Sequence, residues 1–311
     1  MKDFFSGNGK MKKYTRKYYT KQAQIRKENL LKNLFLAEKE AKPFPLFSAD
    51  DKILIKELEK EGWIKKENGE IRLTEDGKKK AAEIVRKHRL YETFLAQKTG
   101  FDPALWHRLA EKEEHLIDAE TLEKWERELG NPLLDPHGDP IPDTEGALET
   151  LPSVLLSEEH PAHWTVYKVM HIEDEPEEDY LPLLRLGMYP GMIFRARYRN
   201  GRWEVEFEGL KTVLPPAQAA LLSVIPADPA WWDGRIVRLS LLRPGEKAEI
   251  IRLSDDLQGL VRQRLLDLGF VPGTEVRVYL RAPAGEPTAY DVKGATIALR
   301  KEQAGKILVK L

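Results

Sequence analysis

The chain has 311 residues, of which 41% are hydrophobic and 32% are charged, with a formal net charge of −1 and no cysteine. At about 100–200 residues per domain, this length predicts two or three domains. The lack of cysteine excludes disulfides, thiolate metal sites and cysteine nucleophiles, so a metal would need His, Asp, Glu, Met or backbone oxygen as ligands. No run of about 18 apolar residues and no secretory signal is found, so we expect a cytoplasmic protein.

The N-terminal segment, residues 1–24, is predicted to be a basic arm. Through residue 32, lysine and arginine far outnumber the acidic residues Asp3 and Glu28, and several tyrosines are interleaved. Such an arm can bind the phosphates of DNA or of lipid head groups. It can equally be a solvated, partly helical tail.

The next segment, residues 25–80, has the element order of a shortened winged-helix unit. Apolar spacing predicts its helices, and an Asn68-Gly69 turn predicts a hairpin. In chain order we predict a helix over 22–40, a break over 42–45, a cap over 48–51, a helix over 53–61, hairpin strands over 63–66 and 70–73, and a helix over 78–98. This is one helix fewer than a complete helix-turn-helix with its wing requires.

The short helix before the hairpin is poor in residues that read DNA bases. It is rich in carboxylates, namely Asp50, Asp51, Glu57, Glu59 and Glu61. Carboxylates are repelled by the phosphates that flank the major groove, and side chains suited to base edges are nearly absent. We therefore do not expect this helix to read DNA in a sequence-specific way.

Residues 81–150 are predicted to form a helical domain with further helices over 102–115 and 119–129. The sequence DPHGDPIP at 135–142 predicts a rigid irregular loop, because its prolines remove donors and fix φ. Histidine and glutamate recur at offsets that place them on one helix face, as His88 and Glu92, His107 and Glu111, and Glu111, Glu114 and His115. Imidazole and carboxylate suit Mn²⁺, Fe²⁺, Zn²⁺ or Co²⁺, and the alternative is a charged helix surface with ordinary salt bridges.

The C-terminal half contains an internal repeat. The motif Leu-Gly-x-x-Pro-Gly occurs within residues 183–192 and again within residues 265–274, and each copy is followed by short strands and a helical turn. Glycine supplies a positive φ and proline fixes the turn in this motif. We interpret the repeat as two tandem small β-barrels over 160–228 and 234–311, which makes the fold class α+β multidomain.

Several of these stretches resemble the diphtheria-toxin-repressor/manganese-repressor family of metalloregulators. Residues 86–95 (RKHRLYETFL) resemble its dimerisation helix, residues 106–118 (WHRLAEKEEHLID) its ligand helix, and residues 135–142 its proline-rich loop. The two glycine repeats resemble the SH3-like ferrous-iron-transport A (FeoA) domain that the family carries at its C-terminus. The resemblance covers residues 25–311 and implies a winged-helix-like unit, a helical metal-binding and dimerisation domain, and SH3-like domains.

The resemblance also implies a set of metal ligands. It places the family's ancillary site on His88, Glu92 and His107, and its primary site on Glu111, Glu114 and His115. The carboxylate at position 111 favours Mn²⁺ or Fe²⁺. Asp179 is the oxygen ligand expected from the first SH3-like domain. The family's helix-one ligands fall near Asn29 and Lys32, and because lysine cannot bind a cation, we expect the primary site to be incomplete and the ancillary site to be better formed.

On these grounds we expect a homodimeric transcriptional regulator that depends on Mn²⁺ or Fe²⁺, with Zn²⁺ or Co²⁺ as substitutes in vitro. No nucleophile motif or phosphate-binding loop is present, so we expect neither an enzyme nor a small-molecule substrate. The alternative is a metal-sensing module that acts on a metal transporter through protein contacts. The shortened DNA-reading head and the basic arm motivate this alternative, and the resemblance implies that related domains are sometimes fused to transporter permeases.

Overall fold

The computed structural model describes residues 7–39, 51–67, 70–149 and 151–311, with side chains from residue 21 onward. The predicted break over 42–45, most of the predicted cap, the Asn68-Gly69 turn and residues 1–6 of the arm lie outside the described residues. The chain divides into two compact units. The first unit comprises residues 1–92, 108–135 and 140–150, and the second unit comprises residues 93–107, 136–139 and 151–311.

The first unit is helical with one hairpin. Its elements are α1 (Gly7–Lys39), α2 (Asp51–Lys60), β1 (Ile64–Glu67), β2 (Glu70–Leu73), most of α3 (Glu75–Lys98), most of α4 (Trp106–Glu113) and α5 (Ala119–Glu128). The hairpin strands pair antiparallel, and the predicted order of elements is confirmed. Helix α1 begins at Gly7, so part of the segment predicted as an arm is helical. Within the described ranges, α2 is the only helix between α1 and the hairpin.

An apolar cluster packs α1 against α2, the hairpin and α3. Helix α1 contributes Leu31, Leu34 and Phe35, which are fully buried, and α2 contributes Leu58. The spacing of three and four residues puts the α1 members on one face of the helix. This face fixes the position of α1 within the first unit, and with it the position of the polar residues that α1 carries.

The second unit contains two six-stranded antiparallel sheets. The first has the order β3-β8-β4-β5-β6-β7 and the second the order β13-β12-β11-β10-β14-β9. Their elements are β3 (Val154–Leu155), β4 (Thr165–Ile172), α6 (Glu177–Leu186), β5 (Ile193–Arg199), β6 (Arg202–Phe207), β7 (Leu210–Leu214), α7 (Pro216–Ala219), β8 (Leu222–Pro226), β9 (Ile236–Arg238), β10 (Lys247–Leu253), α8 (Gly259–Asp267), β11 (Glu275–Arg281), β12 (Thr288–Val292), β13 (Ala295–Leu299), α9 (Lys301–Gly305) and β14 (Ile307–Lys310). The predicted α+β class and the internal repeat are confirmed. Among the described helices of the whole chain, none combines the length and apolar character that crossing a bilayer requires.

The repeated glycine motif follows a helix in each sheet region. Gly187 and Gly191 in the first copy, and Gly269 and Gly273 in the second, all have positive φ. Gly187 is the left-handed C-cap of α6, a position that a residue without Cβ occupies at little cost. The motif therefore ends a helix and turns the chain into the next strand in both copies.

An arginine connects the two sheets of the second unit. The side chain of Arg238 donates to Glu208 Oε2 at 2.7 Å, to the carbonyl of Leu186 at 2.7 Å and to the carbonyl of Gly187 at 2.9 Å. The hydroxyl of Tyr189 donates to Glu208 Oε1 at 2.6 Å. Burial, together with the Glu208 carboxylate, raises the pKa of Tyr189, so the hydroxyl remains a donor. A buried ion pair and two backbone carbonyls thus join one repeat to the other.

Candidate metal centre

Helix α3 carries a buried histidine and a buried glutamate one turn apart. His88 Nε2 lies 3.1 Å from Glu92 Oε1, and the two side chains are 9% and 2% exposed. Burial acts to lower the pKa of His88, but the nearby carboxylates of Glu92 and Glu114 outweigh it, so this pKa is raised. Both side chains are of the type that ligates first-row transition metals.

Glu114, directly after α4, is enclosed by cationic groups of the first unit. Its side chain is fully buried, and Lys32 Nζ on α1 lies 2.9 Å from Oε1 and 3.1 Å from Oε2. His88 Nδ1 contacts the same Oε2. Burial acts to raise the pKa of Glu114, but the hydrogen bond from His88 and the charge of Lys32 lower it. Glu114 is therefore a carboxylate whose two oxygens already have partners.

His115 lies between two glutamates of the first unit. Its Nδ1 is 2.6 Å from Glu28 Oε2 on α1, and its Nε2 is 3.4 Å from Glu114 Oε1. The pKa of Glu28 is lowered because the hydrogen bonds from His115 and Gln24 outweigh the effect of burial. Among the described residues, His115 Nε2 and the buried Asn29 Oδ1 have no hydrogen-bond partner.

These contacts show how far the predicted primary site suits a divalent cation. Asn29, Glu114 and His115 offer oxygen and nitrogen atoms to a cation. The carboxylate among them is that of the buried Glu114, and the ammonium group of Lys32 contacts both of its oxygens. Glu111, predicted as a further ligand, is exposed on α4. A metal ion would have to share Glu114 with a positive charge, so the residues present do not fit a divalent ion at this position.

The second unit holds its own group of metal-type donors. His107 Nδ1 lies 3.0 Å from Asp174 Oδ2, and His137 Nδ1 lies 3.8 Å from the same oxygen. Asp174 and His137 are 12% and 6% exposed in their side chains. Two imidazoles that converge on one carboxylate are a donor set that suits Mn²⁺, Fe²⁺ or Zn²⁺.

The proline-rich loop and the end of β4 position this group. Gly138 has φ +95°, and a Cβ there would lie 2.2 Å from the carbonyl oxygen of Met170 on β4. The amide of Ile172 donates to the carbonyl of His137 at 2.9 Å. The loop therefore packs backbone to backbone against β4, and Asp174 follows two residues after that strand ends.

The structure and the sequence prediction differ in which carboxylate of the acidic run lies beside His107. Asp179, the predicted oxygen ligand, lies in the first turn of α6, where its amide donates to the carbonyl of Pro176. The carboxylate beside His107 is instead Asp174, five residues earlier in the same acidic run. Sequence reasoning also missed His137. Its position inside the proline-rich loop was the available signal.

Comparison with known proteins supports this architecture. The family "Iron dependent repressor, metal binding and dimerisation domain" matches residues 74–143, and the FeoA domain matches residues 237–311. The fold is similar to a solved manganese-dependent transcriptional repressor in complex with manganese, with a TM-score of 0.59 and 25% identity over 64% of this chain and 99% of that one.

Two curated relatives match shorter parts of the chain. The iron-dependent repressor IdeR of Mycobacterium bovis is 35% identical over 72 residues, which is 23% of this chain and 31% of that protein. An Fe(2+) transport protein A/Fe(2+) transporter FeoB fusion protein of Porphyromonas gingivalis is 39% identical over 75 residues, which is 24% of this chain and 9% of that protein. The chain thus spans less than a third of either relative.

The fold and the two matched domains define a multidomain chain with a metal-binding and dimerisation domain and a FeoA domain. In these domains and in its fold the chain is similar to the diphtheria-toxin-repressor/manganese-repressor family, as the sequence motifs predict.

Proposed function

We propose that this chain is a homodimeric transcriptional regulator that responds to Mn²⁺ or Fe²⁺ and catalyses no reaction. The buried His88–Glu92 pair on the matched metal-binding domain is the observation that carries the proposal. In the first unit, His88 and Glu92 would be metal ligands. In the second unit, His107 and Asp174, with His137 beside them, would be donors. The dimerisation domain supports the homodimer, which sedimentation equilibrium measures directly.

Bound metal would supply positive charge to carboxylates that are buried in the protein. Removing a carboxylate from water is costly, so a cation bound beside Glu92, which is almost fully buried, would stabilise the charge of its carboxylate. Imidazole and carboxylate ligands suit Mn²⁺ and Fe²⁺, which is why these two ions are proposed.

Replacing Glu92 with glutamine is expected to weaken Mn²⁺ binding at least about tenfold, because the amide keeps the shape but removes the charged ligand. Equilibrium dialysis of Mn²⁺ against the full chain measures this effect, and His88→Ala should act in the same direction. Glu83→Gln is the matched control, since Glu83 is on the same helix and pairs with Lys80 and Lys87. The absence of saturable binding, or equal affinity in all three variants, would contradict the proposed function.

A second candidate function is regulation of a metal transporter through protein contacts. Its support is the way α1 and α2 use their charges within the first unit. Lys27 of α1 lies 3.1 Å from Glu57 and 2.6 Å from Glu61, and Arg26 lies 3.2 Å from Asp51. These two cations of α1 are paired with carboxylates on and next to α2, so their charge is not available to DNA phosphates. Helix α2 is also the helix that lies where a DNA-reading helix is expected. The matched transporter fusion protein adds a link to transport for FeoA domains.

DNA retention at several salt concentrations separates the two candidates. The transcriptional regulator predicts a sequence-specific complex with Mn²⁺ that survives moderate salt, because base contacts are less sensitive to salt than phosphate contacts. The transporter module predicts weak retention without sequence preference and with a steep loss on adding salt. Filter binding with random and genomic duplexes provides the measurement.

A further inference from the structure

The ammonium group of Lys32 contacts the carboxylate that the resemblance assigns to the primary metal site. It lies 2.9 and 3.1 Å from the two oxygens of Glu114, so that one cation spans both atoms of the carboxylate. The Lys32 side chain is 9% exposed and the Glu114 side chain is fully buried, so solvent does not screen the pair. The two residues are 82 positions apart and join α1 to the end of α4.

The groups around this pair leave little room for a second cation on Glu114. Its Oε2 also contacts His88 Nδ1, and its Oε1 lies 3.4 Å from His115 Nε2. Two positive charges on one carboxylate repel each other most strongly where water is excluded. A lysine ammonium has three donors and no acceptor, so Lys32 cannot become a ligand while it is charged.

We infer that Lys32 is a permanent, covalently attached substitute for the primary-site metal ion. It holds α1 against Glu114 whether or not metal is present. The metal response is then left to donors other than Glu114. This inference rests on the proposed function, because it concerns which residues of a metal-binding protein bind the ion.

The variant Lys32→Glu tests the inference directly, with Mn²⁺ alone as the probe. It removes the ammonium group and adds a carboxylate beside Glu114, His115 and Asn29, whose Oδ1 is buried without a hydrogen-bond partner among the described residues. We expect this variant to bind one Mn²⁺ per chain more than the natural protein, measured by equilibrium dialysis with metal analysis. Lys21→Glu makes the same charge change at an exposed position on α1 and should leave the number of bound Mn²⁺ ions per chain unchanged.

A second variant keeps the test decisive if Lys32→Glu does not fold. Glu114→Gln should leave the number of bound Mn²⁺ ions unchanged, because Glu114 is not a ligand. The affinity should fall about tenfold or more, because Glu114 holds the proposed ligand His88 by a hydrogen bond. Loss of an ion in Glu114→Gln, or no added ion in folded Lys32→Glu, overturns the inference. If the natural chain binds no Mn²⁺, the proposed function fails, while an ion gained only by Lys32→Glu still supports the inference.

Discussion

Replacing Arg238 with methionine is expected to lower the free energy of unfolding of the second unit by about 3–5 kcal/mol, because it leaves a buried carboxylate without its cation. Arg238 and Glu208 are 11% and 5% exposed in their side chains, and Arg238 also donates to the carbonyls of Leu186 and Gly187. Urea unfolding monitored by tryptophan fluorescence measures the loss.

Two further variants show whether geometry as well as charge is needed at position 238. Arg238→Lys should recover only part of the loss, because an ammonium lacks the planar fork that reaches three acceptors at once. Arg277→Met removes an arginine from an exposed pair with Asp291 and should lower the free energy of unfolding far less than Arg238→Met, because solvent screens the exposed pair. Equal effects of Arg238→Met and Arg277→Met would contradict the prediction.

Replacing Lys32 with methionine is expected to destabilise the metal-free first unit by about 3 kcal/mol, because Glu114 loses the ammonium group that contacts both of its oxygens. Methionine retains the apolar part of the side chain, but the buried carboxylate then has only the imidazoles of His88 and His115 near it. Thermal and urea unfolding in the presence of a chelator measure the effect, so that bound metal does not contribute.

The double variant Lys32→Met with Glu114→Gln separates the ion pair from general packing. Removing both charges takes away the desolvation cost together with the attraction, so the double variant should be more stable than Lys32→Met alone. Lys21→Met, at an exposed position on α1, should stay within about 0.5 kcal/mol of the natural protein. If Lys32→Met and Lys21→Met have the same free energy of unfolding, the Lys32–Glu114 ion pair does not stabilise the first unit.

Features of this fold that depend on local spacing were predictable from sequence. Helix α2 occupies Asp51–Lys60 and the hairpin strands occupy Ile64–Glu67 and Glu70–Leu73, close to the predicted bounds. Apolar periodicity and turn residues act over a few positions, so they can be read without tertiary information. The two glycine motifs were identifiable for the same reason, since each fixes its own turn.

The length of the N-terminal extension of α1 was not predictable in this way. Residues 1–24 lack the apolar stripe that marks a packed helix, so they were interpreted as a basic arm or as a partly helical tail, and the helix that begins at Gly7 agrees with the second interpretation. A stripe indicates burial against a neighbour, and its absence does not prevent a helix from continuing beyond the packed part.

The candidate site depended on contacts between distant residues. The sequence indicated that Lys32 leaves the predicted primary metal site incomplete. It did not indicate that the ammonium group of Lys32 contacts both oxygens of Glu114. The choice of Asp179 over Asp174 has a similar origin. Spacing cannot decide which residue of an acidic run meets a histidine on another element, because that depends on where β4 ends and α6 begins.

Gly138 places a limit on how this molecule can change over evolutionary time. Its backbone lies so near the Met170 carbonyl that the addition of a single methyl group would push the loop away and carry His137 with it. The loop keeps its place beside the sheet only while position 138 bears nothing larger than a hydrogen atom.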